Sequence, residues 1–129
     1  MRFLNSFTHI FLSLLRIATG LLLLLHGTSK FFGIPVTSQT GVELMSTSGL
    51  IGVIQLVAGG LLTVGLFTRP MALILAITMA VVYVLFHAHR SHYPILNGGE
   101  LAIMFGFASL LIAGAGPGPI SLDRMLGRS

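Results

Sequence analysis

The sequence contains no cysteine and very little charge, and both absences narrow what the protein can be. Without cysteine there is no structural disulfide, no thiol redox relay and no cysteine-ligated iron–sulfur or zinc site. Only 8% of the 129 residues are charged, whereas a soluble domain devotes about a quarter of its residues to charge. Three acids and seven basic residues cannot cover a globular surface of this size. A soluble enzyme, a coiled coil and a disordered tail are therefore excluded.

Apolar residues take the place of the missing charge. They make up 54% of the chain, and the mean hydropathy is +0.98. Because a bilayer core about 30 Å thick takes roughly 20 apolar residues per helix, four segments qualify as spans: 7–26, 50–67, 71–87 and 99–115. They predict an all-α integral membrane four-helix bundle of antiparallel up-down topology, and a single domain over residues 1–129.

The basic residues are scattered singly, which indicates topology rather than nucleic-acid binding. Two sets alternate along the chain: Arg2, Arg69, Arg124 and Arg128 on one side, Lys30 and Arg90 on the other. Cytoplasmic loops carry the excess of Lys and Arg. We therefore expect a multi-pass protein with both termini in the cytoplasm.

Polar side chains within the predicted spans need partners, because an ionisable group in lipid costs several kcal/mol. A rise of about 1.5 Å per residue places seven of them, from all four helices or their ends, in the outer half of the bundle. They are Arg16, His26, Lys30, Gln55, Tyr83, His87 and Glu100. Their convergence predicts a binding site that faces the outer side.

Three of the seven are candidate catalytic residues: Glu100, His87 and His26. A carboxylate and imidazoles beside an apolar cleft can exchange protons with a lipid-soluble substrate while it is oxidised or reduced.

The other four are candidate substrate-binding residues: Arg16, Lys30, Gln55 and Tyr83. Gln55 and Tyr83 would orient a carbonyl or hydroxyl group, and Arg16 is expected to be the countercharge of Glu100. Alternatively, Arg16 and Glu100 form an interhelical ion pair that only holds the bundle together.

Histidines raise two further alternatives. His87, His89 and His92 cluster as imidazoles do in metal sites, but their spacing matches no zinc motif and Arg90 would repel a cation. We therefore predict no metal site. A b-type haem between His26 and His87 is the second alternative, and nothing else in the sequence favours it.

A set of motifs follows in order along the chain: Arg16 with Gly20, His26-Gly27 with Lys30-Phe31 and Gly33, the run from Val57 to Arg69, His87, Gly98-Gly99-Glu100-Leu101, Gly114 with Gly116, and Ser121-Leu122-Asp123-Arg124. This ordered set resembles the DoxX family of small four-helix membrane proteins. The resemblance covers nearly the whole chain. One departure is Gln55, since the family often has a glutamate in that neighbourhood.

The resemblance implies a protein of the bacterial inner (plasma) membrane that is a subunit of a membrane redox system. It implies no intrinsic cofactor, interaction with quinone, and a membrane redox partner protein, so that any activity would be that of a quinone-linked oxidoreductase subunit. The alternative is a non-catalytic membrane scaffold or assembly factor, in which the loop over residues 27–49 docks a partner complex.

Overall fold

The computed structural model describes residues 2–37 and 40–128, apart from the side chain of Asn97. Every regular element within these ranges is helical, which confirms the predicted all-α fold. The elements are α1 (Arg2–Asn5), α2 (Thr8–Phe32), α3 (Thr47–Val64), α4 (Thr68–Val82), a π-helical turn (Tyr83–His87), α5 (Pro94–Asn97), α6 (Glu100–Ala115) and α7 (Leu122–Met125).

The four long helices overlap the four expected segments, and α2 differs most from its expected range. It continues beyond residue 26 and ends only at Gly33, whose φ of 66° lets the last carbonyls of the helix bond to its amide. The next helix, α3, begins at Thr47 rather than at residue 50, because the Ser46 hydroxyl accepts a hydrogen bond from the amide of Gly49. The extension of α2 puts Lys30 on the helix rather than in a loop.

Three helical segments are long and apolar enough to cross a membrane: Thr8–Phe32, Thr47–Val64 and Thr68–His87. The apolar helix α6 has 16 residues and is about 24 Å long at a rise of about 1.5 Å per residue. It is therefore shorter than the roughly 30 Å hydrocarbon core of a bilayer.

Glycine allows α2 and α3 to pack with their backbones in contact. A Cβ atom on Gly59 would lie 2.9 Å from the amide nitrogen of Leu24, and one on Gly20 would lie 2.6 Å from that of Thr63. Gly60 differs, since its Cβ would meet nothing closer than a side-chain carbon of Leu24 at 3.9 Å. Close approach of this kind holds membrane helices together where lipid supplies no hydrophobic drive.

The helices form two closely packed pairs, α2 with α3 and α4 with α6. The core between the pairs is apolar, and its buried residues are Leu23, Ala58, Leu62, Ala72, Leu75, Met79, Phe105 and Ile112.

The two ends of the bundle are built differently. We call the end with residues 33–37, 40–46 and 88–99 the loop end, and the end with residues 2–7 and 116–128 the terminal end. At the terminal end, α3 turns directly into α4 through Gly65 and Phe67, which both have positive φ. The helices α3 and α4 are therefore adjacent and antiparallel.

Candidate functional site

A cavity of about 340 Å³ lies at the loop end between α2, α3, α4 and α6. Four of the seven polar residues singled out from the sequence line it: His26, Lys30, Gln55 and His87. The remaining three, Arg16, Tyr83 and Glu100, are not among its lining residues. Tyr83 and Glu100 also lie in the loop-end half of the bundle, so the expected convergence in one half is found for six residues, and four of these line one cavity.

Helical periodicity explains which residues reach the cavity. On α2, the lining residues Leu23, His26 and Lys30 are three and four positions apart, so they share one face of the helix. On α3, Ile51 and Gln55 share a face in the same way. The apolar wall is completed by Met79, Val82, Phe86, Leu101, Ala102 and Phe105.

Lys30 is buried, with 7% of its surface exposed. Its ammonium donates one hydrogen bond, 3.2 Å long, to the backbone carbonyl of Ser48. The aliphatic chain of Lys30 occupies the space that the missing side chain of Gly52 leaves, since a Cβ there would lie 2.9 Å from Lys30 Cδ. An ammonium has three donors, so two remain for a molecule in the cavity.

Gln55 is 4% exposed, and its Oε1 atom has no hydrogen-bond partner among the described residues. A buried polar atom without a partner costs about 1–3 kcal/mol. Since Gln55 lines the cavity, a ligand with a polar group there would satisfy the amide. The amide can present either its oxygen or its nitrogen by rotation about the last side-chain bond.

His26 is oriented by two contacts. Its Nδ1 lies 2.9 Å from the carbonyl oxygen of Leu22, so in the neutral ring Nδ1 carries the proton and Nε2 keeps its lone pair. The ring also makes an edge-to-face contact with Phe105, at 6.1 Å between centroids. This contact joins α2 to α6 at the edge of the cavity.

The cavity has a further polar residue to which the sequence analysis gave no binding role. Arg90 lines the cavity together with His87. Its position could have been inferred, because it follows His87 by three residues, close to one helical turn. Residues 88–90 form a turn that directly follows the π-helical turn, and this brings the side chains of His87 and Arg90 to the same opening of the cavity.

Tyr83 lies at a different surface. It lines an apolar groove of about 420 Å³ between α4 and α6, with small residues such as Ala80 and Gly106 at its base. The ring of Tyr83 is 6.4 Å from that of His87. Tyr83 therefore neighbours a cavity residue without lining the cavity.

Glu100 is exposed and lines a shallow depression with Pro94 and Met104. The depression shares Gly98 and Leu101 with the rim of the cavity. Successive residues of an α-helix are about 100° apart. When α6 turns Ala102 and Phe105 inwards, Glu100 therefore points to nearly the opposite side.

The predicted ion pair between Arg16 and Glu100 is wrong. Arg16 is 1% exposed, and its guanidinium donates to the carbonyl oxygens of Pro117, Ile120 (2.6 Å) and Thr63 (3.4 Å). These partners lie at the terminal end, away from Glu100. Side chains on a helix lean towards its N-terminus, so Arg16 on α2 reaches towards the terminal end rather than outwards.

Two of the residues bound by Arg16, Pro117 and Ile120, belong to the C-terminal tail, residues 116–128, which packs across the terminal end. The Ser13 hydroxyl donates to the carbonyl of Pro117 and accepts from the amide of Ile120. The Arg69 side chain donates to the carbonyls of Ala113 and Gly114 at the end of α6. The polar groups of this end thus bind mainly backbone.

Asp123 fixes the tail to the start of α4. Its carboxylate accepts hydrogen bonds from the amides of Phe67 (2.9 Å) and Thr68 (2.8 Å). Burial acts to raise the pKa of the Asp123 carboxyl, but these hydrogen bonds and the charge of Arg128 outweigh it and hold the pKa below its ordinary value. The sequence analysis assigned Asp123 no structural role.

The remaining histidines of the loop end do not form a cluster with His87. His89 and His92 are exposed, and no group of three His, Cys, Asp or Glu side chains suited to a metal ion occurs in residues 2–37 and 40–128. His26 and His87 do line one cavity. The haem alternative stays a prediction.

Comparison with known proteins identifies a family and a relative. The model of the DoxX family matches residues 11–88. An uncharacterized protein of Haemophilus influenzae is 37% identical to this chain over 125 residues, which covers 93% of each of the two chains. No solved structure matches.

Proposed function

Since this chain belongs to the DoxX family, we propose that it is a membrane protein of a redox system and binds the headgroup of a quinone in the loop-end cavity. The observation that carries the proposal is the buried amide of Gln55. Its Oε1 atom has no hydrogen-bond partner among the described residues, and it lines a largely apolar cavity beside Lys30.

The composition of the cavity fits such a ligand. A quinone headgroup is a flat apolar ring with carbonyl oxygens that accept hydrogen bonds, and in the quinol form its hydroxyl groups can donate to the unpartnered Oε1 atom of Gln55. Phe86, Phe105 and Ile51 offer apolar contact, and the ammonium of Lys30 has donors left beyond its bond to Ser48. Small-molecule sites typically combine an apolar wall with a few polar groups in this way.

Reduction of a quinone to a quinol takes two electrons and two protons. We propose that the electrons come from the reduced centre of a membrane redox partner, because a chain without cysteine has no thiol or cysteine-ligated cluster to hold them. The protons would pass through imidazole groups. The Nε2 atom of His26 can accept and release one while its Nδ1 stays bonded to Leu22.

Glu100 has a smaller place in this proposal than the sequence analysis gave it. It lies beside the rim and does not line the cavity. Proton exchange with the bound ring is therefore assigned to His26 and His87. A catalytic role for Glu100 stays a prediction.

The test is saturable binding of a short-chain quinone to the purified protein in mild detergent. We expect Gln55→Leu to weaken binding about tenfold, since it removes one hydrogen bond of about 1–1.5 kcal/mol, and Glu100→Gln to leave it unchanged. Ser109→Ala is the matched control, because Ser109 is also buried with an unpartnered oxygen but does not line the cavity. Wild-type protein that binds no quinone would refute the proposal.

One observation favours the scaffold function as a second candidate. The loop after α2 exposes large apolar side chains outside the helices, among them Ile34, Val36, Leu44 and Met45. Apolar side chains exposed together mark interaction surfaces. In this case, replacing Val36 and Met45 by serine would abolish co-purification of a partner while quinone binding stayed intact.

A further inference from the structure

The cavity contains positive charge and no negative charge. Lys30 and Arg90 line it, with the imidazoles of His26 and His87, and no carboxylate is among its lining residues. A charged group removed from water is expensive unless another charge or several hydrogen bonds compensate it. The question is what compensates Lys30.

Lys30 has little compensation from the protein. It is buried, and its ammonium makes one hydrogen bond, to the carbonyl of Ser48. Within the described part of the chain, Lys30 therefore has no counterion.

All three acidic residues of the sequence lie outside the cavity. Asp123 is at the terminal end, bound to the amides of Phe67 and Thr68. Glu100 is exposed in the depression beside the rim, and Glu43 is exposed in the loop between α2 and α3. No acid of this chain is available inside the cavity to neutralise Lys30.

We propose that the ligand itself supplies the counterion, so that the cavity selects a head with an anionic oxygen on an otherwise apolar body. The inference rests on the proposed function in that it concerns the same cavity. For a quinone, it specifies a ring whose hydroxyl group is ionised. The anionic oxygen accepts a charge-assisted hydrogen bond from Lys30, which is about twice as strong as a neutral one.

Two further residues fit this assignment. The amide of Gln55 can turn its nitrogen towards the same oxygen and donate to it. Arg90 is exposed at the mouth, where a charge steers an anion inwards and contributes less to its final affinity. The ligand would thus enter past Arg90 and pair with Lys30.

The test compares two ligands that differ in one group, 2-hydroxy-1,4-naphthoquinone and its 2-methoxy analogue, titrated against the protein in detergent. We expect the ionised hydroxyquinone to bind at least about tenfold more tightly. Lys30→Gln should abolish the preference, because it keeps hydrogen-bonding capacity and removes the charge. Lys30→Arg should restore part of it, and Arg90→Gln should reduce it by about threefold or less.

A pH titration of the wild type tests the same point without a variant. The preference should vanish as the pH falls through the pKa of the ligand hydroxyl. The titratable and charged groups around the ligand are His26, His87, Lys30, Arg90 and the rim carboxylate Glu100. Any proton that these groups gain adds positive charge and strengthens the binding of an anion, so they cannot cause the loss. A loss of preference therefore reports the proton on the ligand.

Dodecanoate and dodecanol separate this inference from the proposed function. Equal binding of the two naphthoquinones would overturn the anion inference and leave quinone binding standing. Lys30-dependent binding of dodecanoate over dodecanol, without binding of either quinone, would refute the proposed function and support the anion inference. Binding of none of the four would overturn both.

Discussion

The guanidinium of Arg16 donates a 2.6 Å hydrogen bond to the carbonyl of Ile120, so the third turn of α2 holds a residue more than 100 positions away. Arg16 thereby joins the first long helix to the C-terminal tail. Its bonds to Pro117 and Thr63 add to this connection. Arg16 is a structural residue of the terminal end.

Replacing Arg16 by alanine should destabilise the protein by about 2–4 kcal/mol, because hydrogen bonds to charged donors contribute about 1.5–3 kcal/mol each and the tail carbonyls would lose theirs. Thermal unfolding in detergent measures the loss, and faster proteolysis within residues 116–128 should accompany it. Arg124→Ala is the control, since Arg124 is exposed at the same end. Equal melting temperatures for both variants would contradict the role of Arg16.

Asp123 gives the stability of the protein a pH dependence. The pKa of Asp123 is lower in the folded protein than its ordinary value, which is about 3.9 in the unfolded chain. Its stabilising contribution is therefore complete above that ordinary value and is lost as the pH falls through the lower pKa of the folded state. Melting temperature measured from pH 6 downwards should fall more steeply for the wild type than for Asp123→Asn.

At neutral pH, Asp123→Asn should cost about 1 kcal/mol, as loss of a helix cap does, because an amide oxygen replaces a carboxylate that accepts from two backbone amides. Glu43→Gln removes an exposed acid and serves as its control. If both variants showed the wild-type pH profile, the acid dependence would have another origin.

Adjacent glycines on α3 should respond differently to the same substitution. Gly59→Ala places a Cβ 2.9 Å from the backbone nitrogen of Leu24, so α2 and α3 would have to separate, at a cost of about 1–3 kcal/mol. Gly60→Ala meets its nearest neighbour at 3.9 Å and should be neutral or stabilising by up to about 1 kcal/mol, since alanine favours helix. The measurement is the thermal unfolding of the two variants in detergent. A similar loss of stability in both would refute the backbone contact between α2 and α3.

The absence of cysteine makes the expected orientation directly testable. Met45 and Met125 are 81% and 80% exposed, one near each end of the bundle, and each can be replaced by a single cysteine. If the termini are cytoplasmic, a membrane-impermeant maleimide added to intact cells with a permeable outer membrane will label Met45→Cys. It will label Met125→Cys only after lysis, and the reverse pattern would invert the topology.

The sequence was sufficient to predict those features of the cavity that follow from helical periodicity. Four apolar segments separated by polar turns define four helices, and buried polar residues within them are few enough to be noticed. His26 and Lys30 are four positions apart and share a face of α2 by helical geometry alone. Gln55 is a polar residue within the apolar segment of α3, and it does line the cavity.

The side-chain directions and partners of Glu100 and Arg16 depend on how the helices and the tail pack, which no local sequence pattern shows. The sequence placed Glu100 correctly at the start of α6 but did not show that it points away from the cavity, because its direction depends on the rotation of α6 about its axis. Arg16 was misplaced because its partners are backbone carbonyls of the distant tail. The sequence prediction looked for an acidic side chain to pair with Arg16 and therefore chose Glu100, although carbonyl oxygens are the actual partners.

Because Arg16, Ser13 and Arg69 hold the ends of the chain through main-chain carbonyls, they recognise groups that every amino acid possesses. Side chains at 117 and 120 can then change without loss of an acceptor, as long as the path of the chain is kept. The contacts at positions 117 and 120 therefore constrain the backbone path of the tail and leave the identity of these two side chains free.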